Sequence, residues 1–149
     1  IIVFDSGKAS EIREKELLFK NPLSLAEAKI TGCKNISKAK IIDKDFIFAE
    51  EWNLKLKYQY SSNEINYIAI RSHNIKLFNN EKHNSENVFN MIIENIVENP
   101  FDYTLYIKEV NCNNSNSAIN FTISKEEMKF NVNDVIKVKF EENYLFTFE

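Results

Sequence analysis

From Ile36 onward the chain alternates apolar and polar residues with a period of two. Leu54, Leu56 and Tyr58 alternate with Lys55 and Lys57, the pattern of strands that bury one face. Phe101, Tyr103, Leu105 and Ile107 alternate with Asp102, Thr104, Tyr106 and Lys108; Ile136, Val138 and Phe140 alternate with Lys137 and Lys139. Tyr67 to Ile70 and Leu145 to Phe148 read as further short strands. Asn-rich stretches, Asn79-Asn80 and Asn111 to Asn116, separate them, and asparagine tolerates turn geometries that glycine otherwise supplies. The first 35 residues read differently. Ile1-Ile2-Val3-Phe4 is a continuous apolar run that predicts a strand buried on both faces, with Ser6-Gly7-Lys8 as a turn. Glu11 to Phe19 predicts a helix stopped by Asn21-Pro22, because the residue before proline avoids helical angles. Ser24 caps a second helix, Leu25 to Ile30, with Glu27 in the third position of a capping box and Gly32 as the C-terminal cap. The pattern predicts a small helical piece over residues 1–35, then an all-β barrel or sandwich over residues 36–149.

Composition narrows what such a chain does. At 149 residues it has room for one domain. It holds only two glycines, Gly7 and Gly32, where ordinary usage of about 7% would give roughly ten. At that separation neither a G-x-x-x-x-G-K-[ST] phosphate loop nor a G-x-G-x-x-G dinucleotide turn exists within these residues. A net charge of −3 and a pI near 5.5 leave no basic footprint for nucleic acid. Residues 1–43 carry 8 basic and 6 acidic groups, and residues 44–149 carry 11 and 16, so the barrel region is the acidic one. Cys33 and Cys112 match no zinc spacing and no secreted disulfide scaffold, which predicts a reducing, intracellular setting. No apolar run approaches the ~18 residues of a membrane span. A chain opening on a bare apolar strand without Met reads as a piece of something longer.

Candidate chemistry is sparse. His73 and His83 have no Cys or carboxylate at ligand spacing. Cys33 beside Lys34 is a candidate low-pKa thiolate or, more plainly, a small buried residue. The carboxylate pairs Glu50-Glu51, Glu126-Glu127 and Glu141-Glu142 read as solvated charge rather than acid and base. Arg71-Ser72-His73 stands out, since it follows a strand directly and presents a guanidinium, a hydroxyl and an imidazole at its exit, a set compatible with an anion. The plainer alternative is a surface arginine paired with a neighbouring carboxylate. Trp52 is the single tryptophan and is expected to close one end of the core.

The N-terminal string carries a resemblance. I-I-V-F-D-S-G-K-A, K-E-L-L-F-K-N-P and A-E-A-K-I-T-G-C-K-N-I resemble the junction that ends the nucleotide-binding domain of importer-type ABC ATPases. That junction reads "D-x-G-K-I", "E-x-[LIV]-[FY]-x-x-P" and "A-x-x-x-G-x-x-N". Asp5, Gly7, Lys8, Glu16, Pro22, Ala28, Gly32 and Asn35 fall in those places in order. Ile68-Ala69-Ile70-Arg71-Ser72-His73-Asn74-Ile75 is similar to the "[VI]-G-[IV]-R-[PA]-[EH]-x-[IL]" signature of the appended TOBE (MOP-like) barrel. The run from Ile119 to Phe148, with a helix-like bridge over Lys125 to Lys129, is similar to the end of that domain. Asn133 stands where relatives read glycine. The resemblance leans toward ATPases of molybdate- or sulfate-type importers.

The resemblance implies a mostly β, OB-like or MOP-like barrel over residues 36–149, behind a remnant of the nucleotide-binding domain over residues 1–35. It implies the regulatory domain of a cytoplasmic ATPase subunit, peripheral to the inner face of the membrane. That domain would form a homodimer through the barrel, and would meet membrane subunits through a domain absent from these residues. ATP and magnesium would belong to that absent domain, so this chain is expected to hold no cofactor, no metal and no catalytic residue. An oxyanion is the implied ligand, with Arg71, Ser72, His73, Ser85 and Asn87 as the candidate anion-binding residues. A free-standing MOP-type oxyanion-binding module is the alternative. One departure bears on this. Oxyanion-binding relatives carry "S-A-R-N" and "K-x-T-S" segments where this chain has Ser85-Glu86-Asn87 and Ser117-Ala118-Ile119-Asn120, and a carboxylate in place of a guanidinium repels an oxyanion by ~1 kcal/mol or more.

Overall fold

The computed structural model describes residues 1–79, 86–113 and 116–149. The chain begins with a short hairpin, β1 (Phe4–Asp5) against β2 (Lys8–Ala9), turned by Ser6 and Gly7 at φ 50° and 78°. Two short helices follow, α1 (Lys15–Lys20) and α2 (Leu25–Ile30). Among the described residues ten further strands follow: β3 (Asn35–Asp43), β4 (Phe46–Ala49), β5 (Leu54–Lys57), β6 (Tyr67–Ile70), β7 (Ile75–Leu77), β8 (Val88–Glu98), β9 (Asp102–Glu109), β10 (Ile119–Ser124), β11 (Val135–Phe140) and β12 (Leu145–Phe148). The mostly β architecture read from the period-two pattern is the one observed.

The strands form two five-stranded sheets, ordered β12-β6-β3-β4-β5 and β7-β11-β8-β9-β10. Matched position by position, the two orders are the same arrangement built twice. In the first sheet Ile70 pairs with Leu145, and in the second Phe140 pairs with Ile75, so both partners recur 70 residues apart. A single 3₁₀ turn follows β6 (Ser72–Asn74) and another follows β11 (Glu142–Tyr144). Register breaks skip Ile42 in β3 and Glu94 in β8, each the same distance beyond Asn35 and Asn87. The halves also exchange strands. β7 continues from β6 but pairs with β11, and β12 continues from β11 but returns to β6.

Exchange makes one core of the two halves. Ile47, Leu56, Ile68 and Ile70 from the first sheet join Met91, Ile93, Leu105, Ile107 and Phe121 from the second in a single buried cluster; burying each such side chain contributes about 1.5–3 kcal/mol. Trp52, between β4 and β5, is buried in that cluster with its ring 6.3 Å from Phe140 of the other sheet. A second cluster of Ala28, Cys33, Ala69 and Phe148, with Leu25 and Phe146 against it, seats α2 on the outer face of β6 and β12.

Several local expectations are corrected. Ile1, Ile2 and Phe4 are exposed and only Val3 is buried, because a two-residue hairpin covers one side of the run. The first helix begins at Lys15 rather than Glu11, and Phe101 is 90% exposed just outside β9. Lys125 to Glu127 forms a turn, and no helix spans Lys125 to Lys129. Ser24 does accept from the Glu27 amide at 3.1 Å. The Glu27 carboxylate, however, is drawn away from the reciprocal bond: it accepts from the Leu23 amide at 2.7 Å and pairs with Arg13 at 2.5 Å.

Candidate functional site

α1 and α2 end facing one place on the barrel. Pro22 prevents α1 from continuing past Asn21. Gly32, at φ 84°, ends α2 by letting the Cys33 amide bond back to Ala28 O at 2.9 Å and its own amide to Lys29 O at 3.0 Å, the paired closure that a left-handed residue permits. Carbonyls left over at both helix ends then meet Arg71, the first residue after β6. Its Nη1 donates to Thr31 O at 2.9 Å, and its Nη2 donates to Phe19 O and to Thr31 Oγ1, both at 2.7 Å. The guanidinium lies between two rings, 5.9 Å from the centroids of Phe19 and of Phe146.

Arg71 is 8% exposed, so the reading of a surface arginine is overturned. Nor does it have the carboxylate that reading assigned it: no acidic side chain among the described residues pairs with it. Carbonyl dipoles solvate the guanidinium without neutralising it, and a buried charge lacking a counter-ion is costly. The residue borders a cleft of about 660 Å³ lined by Phe19, Lys20 and Thr31 on one wall and Arg71, Ser72 and His73 on the other, with Asn143 and Tyr144 at its margin. None of the lining residues among those described is acidic. Ser72 accepts from Thr122 Oγ1 at 2.9 Å. Burial, with Arg71 and Lys76 nearby, holds the His73 imidazole below its ordinary pKa.

The fold therefore gathers Arg71, Ser72 and His73 in one cleft and places Asn87 elsewhere; Ser85 and His83 lie outside the described residues. Asn87, at φ 55°, accepts from the Lys57 amide at 2.7 Å and donates to Lys57 O at 3.0 Å. Asn35 does the same at the equivalent place, accepting from the Asn120 amide and donating to Asn120 O, each at 2.7 Å. Both asparagines hold an edge strand of the opposite sheet. Glu86 pairs with Lys57 at 2.5 Å, which offsets the negative charge that stands where relatives carry a guanidinium.

Duplication gives the Arg71 cleft a twin. Glu86, Asn87, Lys139, Glu141 and Glu142 border a smaller cleft of about 190 Å³ around the β11–β12 crossover. Position by position, Lys34 corresponds to Glu86, Arg71 to Glu141 and Ser72 to Glu142. The first cleft is basic and the second acidic. Lys20, Thr31 and Phe19, contributed by the helices, were not singled out from the sequence, because only the tertiary fold brings the helix ends to the crossover. Cys33 is buried with its Sγ 3.5 Å from Ile70 O, and desolvation pushes its thiol up rather than down, against the reading of a reactive thiolate.

Neither a family model nor a curated protein sequence matches the chain. A solved structure does: the cytoplasmic molybdate-binding protein ModG, crystallised with molybdate bound, aligns with a TM-score of 0.59 at 10% identity over 78% of this chain and 96% of that one. The likeness defines the fold, a mostly β, OB-like barrel arrangement of the kind ModG has.

Proposed function

We propose that this chain is a MOP-type oxyanion-binding module that takes one tetrahedral oxyanion of the molybdate, tungstate or sulfate type in the Arg71 cleft. The observation that carries the reading is a buried guanidinium that has no carboxylate partner among the described residues and borders a cleft with Lys20, Ser72 and His73 and no acidic group among them. An oxyanion there would be held by charge-assisted hydrogen bonds, roughly twice as strong as neutral ones. The fold shared with a protein described as molybdate-binding supports the choice of ligand class. The acidic twin cleft argues for one ligand per chain despite the duplication, since Glu141 and Glu142 stand where Arg71 and Ser72 stand in the first.

Calorimetric titration with molybdate, tungstate and sulfate tests this. Micromolar binding at one oxyanion per chain is expected, and absence of heat with all three overturns the reading.

A second reading keeps the same module as the C-terminal regulatory and dimerisation domain of the cytoplasmic ATP-binding subunit of an ABC importer. The ordered Gly7 turn and Gly32 helix closure, at the places that family's junction uses them, support it. A phosphate-loop coding sequence in frame upstream of Ile1 distinguishes the two; a start codon directly before Ile1 favours the free-standing module.

A further inference from the structure

The proposed cleft has walls of two kinds. Arg71, Ser72 and His73 belong to the barrel, whereas Phe19, Lys20, Thr31 and Gly32 belong to the segment that precedes it. That segment is held on the barrel by a small apolar cluster around Ala28, Cys33 and Phe148, by the Cys33 contact to Ile70 O, and by the three bonds from Arg71. Its other face buries little. Val3 and Leu18 are buried, but Ile1, Ile2, Phe4, Ile12, Leu17 and Ile30 are all exposed, so most of the large apolar side chains of residues 1–34 contribute little to holding the segment. Elements of this kind open at lower free energy than the core they rest on.

Resting on the oxyanion reading above, we infer that the occupant of the Arg71 cleft is a fastener, holding residues 1–34 on the barrel and coupling the state of that segment to ligand concentration. The physical basis is differential affinity. With the segment docked, an anion faces Lys20 as well as the barrel's Arg71, Ser72 and His73; with the segment lifted away, Lys20 and the wall of Phe19 and Thr31 are gone. A ligand that binds one arrangement better must shift the population toward it, and by reciprocity the docked segment tightens the ligand. The device is built into only one half of the duplication. Among the described residues, none from 1–34 lines the twin cleft around Glu141 and Glu142, so docking is tied to a single crossover.

Hydrogen exchange read by mass spectrometry on the whole chain, with and without sodium molybdate at 100 times its calorimetric Kd, tests the coupling. In the free protein, amides of residues 25–33 are expected to exchange faster than those of β9, which marks separate opening of the segment. Molybdate is expected to slow them by about tenfold to 100-fold, the upper figure being the ceiling that this ligand excess sets when the opened barrel holds no ligand. Three results overturn the inference: equal rates for segment and β9 in the free protein, slowing in the segment under about tenfold while β9 slows fully, or no calorimetric binding. The first two leave the oxyanion reading standing, and the third removes both.

Discussion

Asn35 and Asn87 stand at equivalent places in the two halves of the fold, and each uses its carboxamide to accept from one backbone amide and donate to the carbonyl of the same residue in the opposite sheet. The two side chains act as one added rung each, extending a sheet of one half onto an edge strand of the other. Together with the exchange of β7 and β12, they make the halves interdependent.

Removing either asparagine therefore leaves two backbone groups without partners. Asn35→Ala is expected to lower stability by about 2–3 kcal/mol, the cost of orphaning buried polar groups. Asn87→Ala should cost roughly 1 kcal/mol more than its lost hydrogen bonds, because asparagine tolerates the left-handed backbone at position 87 and alanine does not. Urea unfolding followed by circular dichroism measures both; a loss below about 0.5 kcal/mol for Asn35→Ala would show that the rung is decorative.

Asn133 has φ 74°, and its amide donates to Ile93 O at 2.8 Å. Asparagine and glycine are the residues that occupy this region cheaply. Asn133→Gly is accordingly expected to be neutral within about 0.5 kcal/mol and Asn133→Ala to destabilise by about 1 kcal/mol. Thermal melts of the two variants, compared side by side, check the ordering.

Arg71→Lys keeps the charge and loses the fork. An ammonium cannot serve Thr31 O, Thr31 Oγ1 and Phe19 O in the same planar arrangement, so a loss of about 2–4 kcal/mol is expected from hydrogen bonds to a charged donor. Oxyanion affinity should fall at least tenfold. Lys20→Ala provides the companion measurement: Lys20 is exposed at the end of α1, so the variant should fold normally and still bind oxyanion more weakly.

His73 supplies a pH signature with opposite signs for stability and binding. Its imidazole is held below 6.5 in the folded chain, by burial first and then by Arg71 and Lys76. Between the folded value and 6.5 the unfolded chain binds more protons, so stability rises with pH there. The contribution is complete above about 6.5 and is lost as pH falls through the folded value. An oxyanion in the cleft favours the imidazolium, so affinity should rise by about three- to tenfold from pH 8 to pH 6. Calorimetry across that range on the native chain and on His73→Asn reads the effect, which the variant should abolish.

The alternation of Leu54 and Leu56, of Leu105 and Ile107 and of Ile136 and Val138 specifies the fold class, because side chains on a strand alternate faces whatever the topology. The second helix was equally legible: Ser24, Glu27 and Gly32 are local signals acting within one turn of chain. Asn133 was legible too, as an asparagine standing at a glycine place. Duplication was not. Its matching positions pair Arg71 with Glu141, Ser72 with Glu142 and Ile42 with Glu94, and such pairs share backbone geometry without sharing chemistry.

What the sequence by itself determined was the inventory: period-two strands behind a capped helix, and an Arg-Ser-His exit from one of those strands. Tertiary structure decided what the exit faces. Helix ends more than 35 residues earlier in the chain turn their carbonyls onto Arg71 and bury it with no carboxylate partner among the described residues. Burial and counter-charge depend on residues distant in sequence, so no local pattern encodes them.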